Sequence, residues 1–344
     1  MALEKTILTG ESLAALLHER YGLRVLSSHR LKLGSANCYR VWTETGDFFL
    51  KEFQSGCSAE DSGQEAALVN LLAGRGIPVA RFLAAKDGAP FVSCQGHLIC
   101  LQQFIEGTAY GYDDFPQSLL PQAAQMLGRL HAAMRDLTLP VTMGDKFIED
   151  FSPHRLAGQY EALYEQAKAL QGDPHQDRLM ADLNYKRELA HRCAGYVTHY
   201  QGITVSPSHG DYQGCQLICG ADHIKAVIDF SSARTLPVVW EVMRSYVQSS
   251  PVCRLTAALD LPGLCDYVRQ YMRYFPLTLA DLRAMPYVYL FQLARSKYGF
   301  PQYLSSESED REGLLRFAFW RTDICREVER RAGEISDALC TLLP

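Results

Sequence analysis

The sequence predicts an α+β protein with two lobes, the first strand-rich and the second helical. Three observations carry that prediction. The chain has 344 residues, more than the roughly 100–200 that one domain usually takes. Before Gly107 the apolar residues fall in short runs bounded by Gly, Pro and polar turn residues, as strands require. After Gly107 they recur at three- and four-residue spacing, the period of amphipathic helices.

His29 to Val41 and Asp47 to Phe53 read as strands, joined by the polar turn Glu44-Thr45-Gly46-Asp47. A helix follows from about Ser62 to Ala73. Leu68, Leu71 and Leu72 keep its spacing, and Gly74, Gly76 and Pro78 end it. A second hairpin spans Pro90 to Ile105 and turns at Gln95-Gly96. Leu119 to Met134 is amphipathic, with Leu120, Ala123, Leu127, Leu130 and Ala133 on one face. Gln159 to Leu170 and Asp182 to Tyr200 are further helices. A strand-like island interrupts them: Gln216 to Cys219, a Gly220-Ala221-Asp222 turn, then Ile224 to Phe230. The last third is helical to about Leu343. The charge run from Ser305 to Glu312 reads as a solvated loop or a helix start. This divides the chain into a first lobe at residues 1–105 and a second at 106–344.

Hydrophobic residues make up 47% of the chain and charged residues 21%, ordinary globular values that exclude disordered and fibrous classes. The net charge of −5 argues against a general nucleic-acid binder. No apolar run approaches the roughly 18–20 residues of a membrane span. Met1 to Gly10 lacks the basic-then-apolar pattern of a signal peptide, so a cytoplasmic location is expected. Eleven scattered cysteines are an odd number and form no disulfide framework; reduced thiols are expected. Cys215, Cys219 and nearby His209 make a weak zinc site with no clear second pair in reach.

The chemistry concentrates in Ser208-His209-Gly210-Asp211-Tyr212-Gln213-Gly214-Cys215-Gln216 and in Ala226-Val227-Ile228-Asp229-Phe230. Two carboxylates 18 residues apart each sit beside a strand of one short hairpin. One can accept a proton from a nucleophilic hydroxyl and the other can hold a divalent cation. Mg²⁺ favours one or two carboxylates completed by phosphate oxygens and water, and phosphoryl transfer needs positioning and charge neutralisation. Taken alone, His-Gly-Asp is also a common turn, and an apolar strand ending in Asp-Phe is common too.

His209-Gly210-Asp211 followed by Ile228-Asp229-Phe230 resembles the signature of the aminoglycoside phosphotransferase/choline kinase family, whose fold is protein-kinase-like. The resemblance implies a catalytic base at Asp211 and a Mg²⁺ ligand at Asp229, with His209 and Gly210 shaping the catalytic loop. It covers nearly the whole chain. Leu33-Gly34-Ser35-Ala36-Asn37-Cys38-Tyr39 resembles the family's phosphate-covering loop, where small residues let backbone N–H groups approach phosphate; Gly34 and Ser35 are its candidate contacts. The plain alternative is a hairpin. Lys51, at the end of an apolar strand, is implied to contact the α- and β-phosphates, with Glu65 as its ion-pair partner and Glu60 as the alternative. Leu101-Gln102-Gln103-Phe104-Ile105-Glu106-Gly107 resembles the interlobe hinge, where the Gln103 carbonyl and the Ile105 N–H would meet adenine. Leu127-Gly128-Arg129-Leu130-His131 resembles a helix of the family's large lobe, with His131 structural rather than catalytic.

Two positions depart from the family. Gln216 stands where a second metal ligand is usually Asn, one methylene shorter. Ser231 follows Asp229-Phe230 where Gly or a third acidic residue is usual. Glu241 reads either as a brace of the catalytic loop or as a helix N-terminal carboxylate; Arg244 and Tyr246 line a pocket or a plain helix. The implied activity is transfer of the γ-phosphoryl group of ATP, with Mg²⁺, to a hydroxyl of a small molecule such as an aminoglycoside, amino alcohol or sugar-like metabolite. A polycationic acceptor would favour Asp113, Asp114, Glu149, Asp150 and the acidic run at Glu307–Glu312. The alternative is a catalytically weak nucleotide-binding pseudokinase resembling the spore-coat members, which Gln216 permits.

Overall fold

A computed structural model describes residues 4–31, 36–57, 59–139, 152–305 and 310–343. The chain divides into two units, Met1–Ala109 with Leu217–Ser232, and Tyr110–Gln216 with Ala233–Pro344.

The first unit opens with a helix that the sequence reading missed, α1 (Gly10–Tyr21). Thr9 and Ser12 close a capping box at its start. Gly22 ends it at a φ of 73°, a left-handed conformation that glycine adopts without steric cost. Of its residues Leu13 and Leu17 are the buried ones, too few to mark a periodic stripe. Five antiparallel strands follow: β1 (Val25–Leu31), β2 (Asn37–Thr43), β3 (Gly46–Glu52), β4 (Phe91–Cys94) and β5 (His97–Gln103). Their order in the sheet is β1-β2-β3-β5-β4. The single strand expected from His29 to Val41 is therefore two paired strands, with Leu31 opposite Cys38. Five successive residues of β1 are exposed, so no apolar alternation marks where it begins or ends. Gln95 and Gly96 have φ of 48° and 85°, both left-handed, as a two-residue hairpin turn requires. Leu13, Leu17, Val41, Leu50, Ile99 and Leu101 pack into one core.

Helix α2 (Ala59–Gly74) follows the third strand. The later segment returns to this unit: β6 (Thr108–Ala109), β8 (Leu217–Cys219) and β9 (Ile224–Val227) form a small sheet in the order β6-β8-β9. Val227 N–H donates to the Pro78 carbonyl at 2.9 Å. That bond fixes the end of β9, which stops two residues before Asp229, short of the Phe230 expected from the sequence.

In the second unit β7 (Val205–Ser208) pairs antiparallel with β10 (Arg234–Pro237), placing Ser208 opposite Arg234. The rest is helical: α3 (Leu120–Met134), α4 (Pro153–Lys168), α5 (Gln176–Tyr196), α6 (Val238–Ser249), α7 (Pro251–Thr256), α8 (Leu261–Met272), α9 (Leu279–Arg295), α10 (Phe300–Ser305) and α11 (Arg311–Cys340). α4 and α5 begin about two turns before the apolar spacing indicated; for α4 the start is set by a cap, Ser152 accepting the Arg155 N–H at 3.2 Å, whereas α5 starts after His175 without a side-chain cap. Val197–Tyr200, expected as helix, is a 3₁₀ turn. Asp310 caps α11 through the Gly313 N–H, so the acidic run leads into a helix; residues 306–309 lie outside the described residues. A Cβ on Gly128 would come within 2.5 Å of the Tyr271 carbonyl, so glycine there permits the close approach of α3 to α8. Among the described residues no helix is long and apolar enough to cross a membrane.

Candidate active site

Pairing of β7 with β10 brings the loop after Ser208 against the start of α6. Glu241, in the first turn of α6, is fully buried. Its Oε2 accepts the His209 N–H at 3.0 Å and its Oε1 accepts the Tyr212 N–H at 3.2 Å. His131 Nε2 lies 2.9 Å from Oε2, and His131 Nδ1 lies 2.7 Å from Tyr271 Oη. Burial alone would raise the Glu241 pKa. The hydrogen bond and charge of His131, the charge of His209 and the Tyr212 N–H outweigh it and bring the pKa to about 2. Glu241 is thus the brace of this loop, and His131 is a structural histidine that orients it.

Arg244 lies three residues further along α6, on the same face. Its Nη2 donates to Asp211 Oδ1, while Gln216 Nε2 donates to Oδ2 at 3.1 Å. One short stretch of helix therefore fixes both the backbone of the loop and the side chain it presents. Gly210 takes a φ of 84°, a turn that a residue with a Cβ would strain. His209 is fully buried, and its Nδ1 accepts the Asp211 N–H at 3.3 Å. Asp211 keeps a third of its side-chain surface exposed. It lines a cavity of about 550 Å³ within the second unit, together with Trp240, Arg244 and Gln248 from successive turns of α6. Tyr246 is not part of it: its ring is buried and its hydroxyl donates to the Asp260 carbonyl.

The first unit gathers the other candidate charges. Lys51, on β3, has its Nζ 3.9 Å from Asp229 Oδ1 and 4.7 Å from the centre of the Phe53 ring. Burial disfavours its charge, but Asp229 and then Glu65 outweigh burial and hold its pKa above the ordinary value. Glu65 is buried on α2, where loss of water raises its pKa; Lys51 opposes that rise, Asp229 adds to it, and the Phe230 N–H donates to the carboxylate. Glu60 is exposed on the same helix. Asp229 has a φ of 62°, rare outside glycine and costing about 1–2 kcal/mol; aspartate is among the residues that tolerate it. Ser231 Oγ donates to Asp229 Oδ1 at 2.8 Å, and the carboxylate is 40% exposed. Hard oxygen donors with open sides suit Mg²⁺, which completes its shell with phosphate and water. Among the described residues no group of three or more His, Cys, Asp or Glu side chains is arranged to hold a metal ion, so the fit is to a shared site and not to an all-protein cage.

Gln103, at the end of β5, and Ile105 line a cavity of about 370 Å³ in the first unit with Ile77, Val79, Arg81 and Lys225. The Gln103 N–H donates to the Arg81 carbonyl at 2.9 Å. Gly34, Ser35, Glu149 and Asp150 lie outside the described residues. Asp113 is paired with Arg254 at 2.6 Å.

The structure thus brings Lys51, Glu65 and Asp229 together in one unit, and His209, Asp211 and Gln216 together in the other. Arg244 was the residue that sequence reasoning undervalued. Its signal was the three-residue step from Glu241, which puts both on one helix face.

Solved structures share this fold at low identity. Spectinomycin phosphotransferase in complex with ADP and spectinomycin is 15% identical, with 94% of this chain and 100% of that chain covered and a TM-score of 0.69. The microcompartment-associated aminopropanol kinase is 16% identical over 90% and 93% of the two chains, at 0.61. Plasmodium vivax ethanolamine kinase is 12% identical over 94% and 89%, at 0.58. No curated protein sequence matches the chain. The phosphotransferase enzyme family (APH) matches residues 29–271, most of the chain and both of the motifs around Asp211 and Asp229, and the chain belongs to that family.

Proposed function

We propose that this enzyme moves the γ-phosphoryl group of ATP, in the presence of Mg²⁺, to a hydroxyl of a small molecule. The observation that carries the reading is Asp211: a partly exposed carboxylate on a loop braced by the buried Glu241, opening on a cavity of about 550 Å³. Residues 1–105 are proposed as the nucleotide-binding lobe and 106–344 as the catalytic and substrate lobe.

In this reading Asp211 accepts the proton of the acceptor hydroxyl. The freed oxygen forms a bond to the γ-phosphorus, the bond from that phosphorus to the β,γ-bridging oxygen breaks, and ADP leaves. Arg244 and Gln216 hold the Asp211 carboxylate oriented through the step. His209 keeps its backbone in place through the Asp211 N–H. Lys51 binds the nucleotide phosphates, and Glu65 keeps the lysine positioned. Asp229, with Gln216, would hold Mg²⁺, which supplies charge neutralisation at the phosphate oxygens. Gly34 and Ser35 are proposed for the phosphates, and the Gln103 carbonyl and Ile105 N–H for adenine.

One observation favours a second reading, a nucleotide-binding protein of low turnover. Both Asp211 oxygens already accept from side chains of this chain, and Gln216 replaces the shorter amide. The experiment is ADP release with Mg-ATP across a panel of hydroxyl compounds, alongside a Mg-ATP binding titration. Acceptor-dependent release supports the kinase. Binding without release by the wild type, with turnover gained in Gln216→Asn, supports the second reading. Absence of nucleotide binding contradicts both.

A further inference from the structure

Among the described residues, the cavity beside Asp211 is lined by four arginines, Arg234, Arg244, Arg295 and Arg321, and by one carboxylate, Asp211. The chain as a whole carries −5, so this positive charge is a local concentration. The arginines converge from β10, α6, α9 and α11, which no sequence spacing would reveal. Guanidinium groups remain charged at any working pH, and a buried charge is costly unless it is paired. Burial pushes Arg234, Arg295 and Arg321 below the ordinary arginine range. Arg244 already takes Asp211, and Arg234 and Arg295 have partners of their own.

Arg321 shows what is left over. It is almost wholly buried, 5.1 Å from the centre of the Phe317 ring, with Nη2 donating to the Tyr298 carbonyl at 2.7 Å. Among the described residues its Nε has no hydrogen-bond partner, and neither has Nη1 of Arg244. Gln213, Tyr289 and Gln292 each contribute to the same lining a further buried oxygen that has no partner among the described residues. Such groups are the ones that discriminate, because a ligand lacking the matching partner leaves them unpaired.

We propose that the acceptor is an anion: a polyhydroxylated small molecule whose hydroxyl meets Asp211 and whose carboxylate or phosphate meets the arginines. The proposal rests on Asp211 being the catalytic base. A carboxylate or phosphate can take two parallel N–H bonds from a guanidinium. The amide and phenol groups suit further hydroxyls, and pockets of about 300–1,000 Å³ hold molecules of this size. Aminoglycosides, choline and ethanolamine are excluded by the same field, since each would bring positive charge beside buried arginines.

The test uses the full chain, with calorimetric titration and ADP release from Mg-ATP as separate readouts. Gluconate, glucose 6-phosphate and inorganic phosphate are the anionic probes, glucose and sorbitol the neutral ones, choline and kanamycin the cations. At least one anion is expected to bind about 10-fold or more tightly than the neutral probes, with no saturable binding of the cations; the gluconate and phosphate arms distinguish the two anionic groups. Arg321→Gln and Arg295→Gln are each expected to raise the Kd of that anion about 10- to 100-fold, leaving the KM for ATP unchanged. Should Arg321→Gln fail to fold, Arg295→Gln and Arg234→Gln, each checked by melting temperature, carry the test. Tighter binding of a neutral or cationic probe, no binding of any anion, or an unchanged Kd in the folded variants overturns the proposal. Turnover of a cationic acceptor upholds the phosphotransferase and overturns the anion preference. Arginine-dependent anion binding without phosphoryl transfer upholds the preference and overturns the reaction.

Discussion

The Lys51 cluster of the first unit and the Asp211 loop of the second hold charge in opposite ways. Lys51 stands between a partly exposed carboxylate on strained backbone, Asp229, and a buried one, Glu65, whose charge burial disfavours. Lys51 lies 3.9 Å from Asp229, longer than a hydrogen bond, so its charge is poised to exchange that partner for a phosphate. Asp211 instead hangs from a fully buried carboxylate that collects two backbone N–H groups and a histidine. The first arrangement favours binding a charged ligand and the second favours fixed geometry. Substitutions in the two places should therefore separate affinity from turnover and stability.

The largest effect is expected at Asp211 itself. Asp211→Asn should lower kcat about 10²- to 10⁴-fold, with the KM for ATP within about 2-fold and the melting temperature nearly unchanged. A comparable loss from KM alone would merge the two regions and break the comparison. Glu241→Ala should cost about 3–5 kcal/mol of stability in denaturant titration, since three buried groups lose their partner. Glu65→Gln in the first cluster should change stability by no more than about 1 kcal/mol in either direction, since the lost attraction to Lys51 is offset by removing a buried charge, and should mainly weaken nucleotide binding. Lys51→Met should raise the Kd for ATP about 10- to 100-fold by calorimetry, with Asp211-dependent chemistry still measurable at saturating nucleotide.

The smallest effects are in pH dependence, and they have opposite signs. The folded pKa of Glu241, about 2, lies below its ordinary 4.5. Its stabilisation is complete above about pH 4.5 and is lost as pH falls toward about 2. The folded pKa of Glu65 is raised above 4.5. Its ionisation costs stability, and that cost is relieved as pH falls through the raised pKa toward 4.5. Denaturant midpoints measured between about pH 2 and 6 should show the acid loss flattened in Glu241→Gln and the relief absent in Glu65→Gln. Equal slopes in both variants would mean that the two carboxylates are not held differently.

Much of the fold was legible because local rules decided it. The change of apolar period at Gly107, the two-residue turn at Gln95-Gly96 and the stripe of α3 each have a cause within a few residues. The α1 helix was invisible because it buries little, and the end of β1 because its face is solvated. The carboxylates Asp211 and Asp229 were legible because their motifs are contiguous. Arg244 and the arginine-lined cavity were not, since segments far apart in the chain supply the lining and only tertiary packing joins them. The expected acidic contacts illustrate the same limit: Asp113 reads as available for a cation in sequence, yet Arg254 occupies it.

The most direct test follows the γ-phosphoryl group. ATP labelled at that position is incubated with the enzyme, Mg²⁺ and an acceptor that gives ADP release, and the labelled products are separated. Label on the acceptor with the wild type, and its loss in an Asp211→Asn variant that still binds Mg-ATP, is the result predicted here. Transfer at the wild-type rate by Asp211→Asn, or release of the label only as inorganic phosphate, would contradict the assignment of Asp211 as the base of a hydroxyl phosphotransferase.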